Sequence, residues 1–173
     1  MKTANLTLLA VLALLLGVAC SSRSNNVSYK DSVKKALEQV DLKGVTVDED
    51  RDKNTITLGG KVHSENAKQQ AAEVAQAAAG NRIIANQISV EPVGAESQAR
   101  TIASSQDEAI EKNYKAALVT TGLDKEHIRF KAKNGVLTLK GSVKDQRQRQ
   151  VAQEIAANIP NVQQVLNEIE VNR

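Results

Sequence analysis

Four groups of residues in this 173-residue sequence have types and spacings that invite chemistry. Asp48, Asp50, Asp52 and Asn54 alternate as the first oxygen ligands of a calcium-binding loop do. Lys53, however, stands where that loop needs glycine for its sharp turn, and Gly59 where it needs a bidentate glutamate, so the run reads as a solvated acidic turn. His63 and His127 have no cysteine or histidine at ligand spacing and read as surface residues. Lys140, Lys144, Arg147 and Arg149, with Lys131 and Lys133 just upstream, form a basic cluster suited to anionic head groups; its alternative is a solvated helix face. Cys20 is the only cysteine, so it has no partner for an intramolecular disulfide. No glycine-rich phosphate loop, nucleophile elbow or acid/base pair is visible, which predicts a non-catalytic protein with no metal and no cofactor.

The elements that position these residues begin with a leader. Lys2 supplies a positive charge, Leu6 to Leu16 is almost wholly apolar, and the small residues Gly17 and Ala19 precede Cys20. This order predicts a cleavable signal peptide over residues 1–19 and export of the chain. The apolar stretch falls short of the roughly 20 residues that span a bilayer, and no later stretch approaches that length. Leu15 to Cys20 resembles the lipobox of bacterial lipoproteins, although Gly17 stands where that motif usually has leucine. The resemblance implies acylation at Cys20, with residues 20–27 as a polar, Ser-rich tether. Several acyl chains together anchor a protein stably. Ser21 after the cysteine resembles the sorting pattern for the outer membrane, which implies a lipoprotein on its periplasmic face. The alternative is ordinary cleavage after Ala19 and a soluble periplasmic protein.

Composition narrows the classes further. Aromatic residues make up 2% of the chain and there is no tryptophan, so the core has to be aliphatic. Net charge is +3, or +2 without Lys2, too balanced to predict nucleic-acid binding. The charge is uneven, however. Residues 27–93 carry nine basic and ten acidic groups, whereas residues 107–173 carry eleven and nine.

Shifted by 81 residues, the chain overlies itself. Ile56 to Val62 lies over Leu137 to Val143, and Gln69, Ala71, Glu73 and Ala75 over Gln150, Ala152, Glu154 and Ala156. Asn86 to Val90 lies over Asn167 to Val171 in the same frame. An unbroken register of this kind marks a tandem duplication. The copies span residues 28–92 and 105–173, and residues 93–104, in a stretch rich in Ser, Ala, Gly and Pro, read as a linker.

Within each copy, Val33, Leu37 and Val40, and Ile110, Tyr114, Ala117 and Leu118, recur at helical spacing. Ser105 to Glu108 reads as a capping box that starts the second of these helices, and Gly122 as its stop. Two alternating strands follow, the second pair joined at Lys133-Asn134-Gly135, then an Ala-rich helix over about 64–79 and 145–158, then a strand over about 83–90 and 165–171. Glu73 and Glu154 read as surface charges on that helix. The fold class is α+β: tandem α-β-β-α-β modules, each a small mixed three-stranded sheet with two helices on one face. The strand–helix–strand unit makes its two strands parallel and the hairpin adds an antiparallel one. About 65 residues is near the lower limit for an independent core, which predicts docking of one copy on the other.

This order of elements resembles the BON domain, named for bacterial OsmY and nodulation proteins. The likeness rests on Leu58, Gly60, Val62, Ala71, Asn86, Ile88 and Val90, and on Leu139, Gly141, Val143, Ala152, Val162, Asn167, Ile169 and Val171. Arg82 and Ile83 depart from the Gly-Val usual in the family. Gly60, Gly141, Asn86 and Asn167 are then structural motif residues. The resemblance, behind a lipobox-like leader, is to dual-BON envelope lipoproteins. It implies binding of phospholipid, often anionic, and a role in envelope integrity without catalysis. On that reading Lys140, Lys144, Arg147 and Arg149 meet the lipid. The alternative is an adaptor whose exposed sheet face or edge strand docks on an envelope protein, such as outer-membrane assembly or secretion machinery.

Overall fold

The computed structural model describes residues 28–172. The leader, Cys20 and the tether lie outside them. In the first module a helix, α1 (Lys30–Gln39), precedes a hairpin of β1 (Val45–Asp50) and β2 (Thr55–Val62), then α2 (Glu65–Ala78), β3 (Ile83–Asn86) and β4 (Ser89–Val90). The second module repeats this order with α3 (Glu96–Thr121), a single 3₁₀ turn at Leu123–Lys125, β5 (His127–Lys133), β6 (Val136–Val143), α4 (Gln146–Ala157) and β7 (Gln164–Val171). None of these helices is long and apolar enough to cross a membrane.

Local chemistry sets the element ends. Ser64 and Asp145, 81 residues apart, each accept a hydrogen bond from the backbone N–H three residues on, at 3.2 and 2.8 Å, and so start α2 and α4. β2 and β6 are the central strands of their sheets. Each pairs antiparallel with the strand before it and parallel with the strand that follows the crossover helix. Alternation along them buries Ile56, Leu58 and Val62, and Leu137, Leu139 and Val143, under the helices. The Ala-rich faces of α2 and α4 (Ala71 and Ala75, Ala152 and Ala156) are fully buried and bring each helix close to its sheet. Tyr114 joins the second core edge-on to Phe130, its ring centroid 5.0 Å away, and its hydroxyl donates to the carbonyl of Ala152 at 3.2 Å.

The first core holds one buried ion pair. Arg82 Nε lies 3.6 Å from Glu49 Oε1, while the same guanidinium donates to Asn54 Oδ1 at 2.7 Å and sits 5.4 Å from the centre of the Tyr29 ring. Tyr29 thereby ties the start of α1 to the far end of the hairpin.

Three expectations need correction. The stretch 93–104 is not an irregular linker: α3 begins at Glu96 and continues through it. Pro92 and Gly94 punctuate the chain only briefly, and Ala, Gln and Arg then favour helix over coil. Ser105 and Glu108 consequently lie in mid-helix and form no cap; the first turn is held instead by Glu96, whose carboxylate accepts from Gly94 N–H at 3.0 Å. In addition, the closing strand of the first module is split at Gln87–Ile88, so its sheet has four strands, with β3 and β4 both on β2. The second module supplies a reason: Asn134 Nδ2 donates to the Gln87 carbonyl at 2.8 Å, which engages that backbone outside its own sheet.

The copies dock through this region. Ala85, Val136 and Leu166 form a small buried cluster between them. Gln164 donates to Ile84 O at 2.7 Å and accepts from Asn86 N–H at 3.4 Å, so one side-chain amide stands in for a neighbouring strand on β3. Lys53 Nζ reaches Glu170 Oε1 at 3.1 Å.

Candidate functional site

The repeat makes each module an internal control for the other. Gly60 and Gly141 sit at equivalent points of the central strands with φ of 85° and 110°. A Cβ would lie 2.3 Å from Gly44 O at the first and 1.8 Å from His127 O at the second, so glycine is required by backbone approach as well as by φ. Asn86 donates to Lys68 O at 2.9 Å and accepts from Ile88 N–H at 3.4 Å. Asn167 donates to Arg149 O at 3.2 Å and accepts from Ile169 N–H at 3.2 Å. These asparagines stitch the crossover helix to the returning strand. They are part of the framework, with both ends of each side-chain amide committed to backbone groups.

The basic cluster is not one patch. Lys140 is on β6, on the sheet face away from the helices, with Nζ 3.2 Å from Glu168 Oε2. Lys144 follows the end of β6 and lies 3.0 Å from Glu126 Oε1. The Lys144 hydrogen bond, followed by that of Gln148, holds the Glu126 carboxyl below its ordinary range against a smaller effect of burial. Arg147 is exposed in the first turn of α4. Arg149 is engaged elsewhere. Its guanidinium donates to Ile169 O at 2.8 Å and Asn167 O at 3.2 Å along the outer edge of β7. Of the four predicted residues, Lys140, Lys144 and Arg147 remain displayed, on two different surfaces.

Sequence reading missed Arg129. Strand register places it directly across from Lys140, on the same sheet face, with Lys131 and Lys133 along the same strand. The alternation His127, Arg129, Lys131, Lys133 was the available signal. It also missed Asp107 and Glu111, one turn apart on α3. Glu111 accepts from Ala132 N–H at 2.9 Å, and Asp107 from Asn134 and Gly135 N–H at 2.8 and 3.1 Å. Burial raises the Glu111 carboxyl, but the Ala132 hydrogen bond and Lys131 together bring it below the ordinary range.

The remaining polar residues are accounted for locally. Asp48 lies 3.4 Å from Lys30 Nζ, Asp50 accepts from Lys53 N–H at 3.0 Å within the turn, and His63 Nδ1 is 2.9 Å from Glu91 O. Glu73 and Glu154 each accept from the glutamine four residues earlier on the exposed side of their helices. Among the described residues no group of three acidic, histidine or cysteine side chains is placed to hold a metal. A cleft of about 530 Å³ separates the modules, lined by Ile88, Val90, Ala99, Ile102 and the nearly buried Lys68. Burial lowers the Lys68 ammonium, and among the described residues its Nζ donates to Asn134 O at 3.4 Å.

A family model for the BON domain matches residues 28–92 and again 106–173, which together take in both modules. The chain belongs to the BON domain family. The two BON domains therefore account for all of the described fold except residues 93–105, which hold the first turns of α3. No curated protein matches the chain. Among solved structures, it is similar to CdsD, a structural protein of the type III secretion system of Chlamydia trachomatis, at 15% identity and a TM-score of 0.33, over 83% of this chain and 61% of that one. A second structure, of the C-terminal domain of CdsD, gives 15% identity and a TM-score of 0.33, over 80% and 62%. This chain thus spans about three-fifths of those structures.

Proposed function

We propose that this protein is a non-catalytic lipoprotein of the cell envelope that binds anionic phospholipid membrane and supports envelope integrity. BON membership points toward phospholipid or envelope binding. The observation that carries the reading is the layering of charge on the second BON domain. In each of its three internal ion pairs among the described residues the lysine is the outer partner: Lys131, Lys140 and Lys144 are 78, 56 and 75% exposed, whereas Glu111, Glu168 and Glu126 are 26, 14 and 10% exposed. An approaching surface meets ammonium groups first, and a basic residue that lies against an anionic leaflet contributes about 1 kcal/mol. Acylation of Cys20 would keep the domain at the membrane, on the periplasmic face of the outer membrane if sorting follows Ser21.

The adaptor reading by strand addition has less support. Asp107 and Glu111 occupy donors on the edge of β5, Arg149 occupies acceptors on β7, and Gln164 occupies β3. Edges filled in this way resist pairing with another chain. The test is co-sedimentation of the chain from Ser21 onward, which lacks the acylation site, with phosphatidylglycerol or phosphatidylcholine vesicles. Salt-sensitive binding to the first alone is expected. Equal binding to both, or to neither, would leave the charge layering without a role.

A further inference from the structure

The helix-free face of the second sheet is divided by charge. Its acids, Glu168 and Glu170, are on β7, the strand that docks on the first BON domain. Both are engaged, Glu168 by Lys140 and Glu170 by Lys53 of the other domain. Its cations lie on the two strands farther out: Arg129, Lys131 and Lys133 on β5, and Lys140 on β6. Lys131 reaches around the strand edge to Glu111 at 3.0 Å yet stays largely exposed, and neither Arg129 nor Lys133 forms an ion pair among the described residues.

Arg129 and Lys140 are direct cross-strand partners. Like charges in that position repel and lower the stability of a sheet. Glu168 sits beyond Lys140 on the far side and offsets only part of this. Beside this pair, Arg129, Lys131, Thr138 and Lys140 border a shallow concavity of about 300 Å³, while the ring of Phe130, paired with Leu139, turns to the helices and Tyr114. A two-stranded platform with unbalanced cations fits a flat anionic surface. It does not fit a narrow acidic peptide that seeks a sheet edge.

From this placement we infer that the β5–β6 face, through Arg129, Lys131 and Lys140, is the part of the protein that rests on anionic phospholipid, rather than the start of α4 with Lys144 and Arg147. The inference rests on the lipid reading above and assigns its surface. The Arg129–Lys140 repulsion in the free protein is relieved when phosphate groups lie between the two side chains.

The test compares two variants that lose equal charge, Arg129→Gln/Lys140→Gln and Lys144→Gln/Arg147→Gln, in the chain from Ser21 onward. Each is titrated with vesicles containing phosphatidylglycerol in phosphatidylcholine, and folding is checked by circular dichroism. The face variant should bind about 30-fold more weakly, the factor that two basic residues contribute near an anionic surface. The helix variant should bind nearly as well as the parent chain. Arg129→Gln alone should raise the thermal midpoint while weakening binding, a combination that simple loss of structure cannot produce, and Arg129→Lys should restore binding. Equal weakening by both variants, or greater weakening by the helix variant, would overturn the assignment while leaving the lipid reading intact. Failure of the parent chain to bind any vesicle would overturn the lipid reading itself and turn attention to an acidic protein partner.

Discussion

Gly141→Ala should be among the most damaging single-methyl changes in the second domain. At φ 110° an alanine occupies a region reached almost only by glycine, which costs on the order of 1–3 kcal/mol. Its Cβ would lie 1.8 Å from His127 O, whereas real Cβ atoms essentially never approach within 3.0 Å, so β5 and β6 would have to separate by more than about 1 Å at the Ile128–Gly141 pair. Overpacking of this kind costs a further ~1–3 kcal/mol, giving about 2–6 kcal/mol in total. Such a loss is comparable with the whole stability of a small domain. Gly60→Ala should cost less, because its obstacle at 2.3 Å is Gly44, in the loop before β1. Gly94→Ala has φ of 83° and nothing within 4 Å, so it carries backbone strain alone, about 1 kcal/mol. Urea unfolding followed by circular dichroism ranks the three. The ring signals of Tyr29 and Tyr114, one in each domain and the only tyrosines, tell which domain opened. If Gly141→Ala proved no more destabilising than Gly94→Ala, the close approach of the backbone at this position would be refuted.

Two further outcomes follow from the framework. Asn86→Ala and Asn167→Ala each remove a donor and an acceptor from equivalent helix–strand stitches, so each should destabilise its own domain by about 1–3 kcal/mol in urea titrations. Burial tends to raise the Glu49 carboxyl, yet the Ser28 hydroxyl, Tyr29 N–H, Arg51 and Arg82 together hold it below its ordinary value. Its stabilisation of the first domain is therefore complete above the unfolded glutamate value of about 4.3 and is lost as pH falls through the lower folded value. Thermal midpoints from pH 7 to pH 2 should fall for the parent chain, and this contribution should be missing from Glu49→Gln.

Most of the architecture was legible because the repeat multiplied weak signals. The central strands bury every second residue, and Leu58 and Leu139 hold the same register 81 residues apart, so periodicity in one copy supports the other. Helices α2 and α4 start within one residue of expectation because Ser64 and Asp145 are local caps. What was not legible depends on contacts between the copies. The extra turns of α3 follow the chain-breaking Pro92 and Gly94, and Arg100 in them reaches back across that turn to Glu91 of the first domain at 3.1 Å. The break at Gln87 likewise involves Asn134, 47 residues away. At the surface, the basic residues could be counted but not sorted. Arg149 and Lys144 are five residues apart, yet one clips a strand edge and the other meets solvent, a distinction set by the position of β7. Alternation could have put Arg129 on one face with Lys131 and Lys133, but its pairing with Lys140 is set by the hairpin register.

The most direct measurement of the central claim is the dependence of membrane binding on lipid charge and on salt. The chain from Ser21 onward should bind phosphatidylglycerol vesicles and not phosphatidylcholine vesicles at about 0.01 M salt, where screening extends over roughly 30 Å, and should be released as salt approaches 1 M, where it shrinks to about 3 Å. Binding that ignores both lipid charge and salt, or no binding to either vesicle at low salt, would contradict the account.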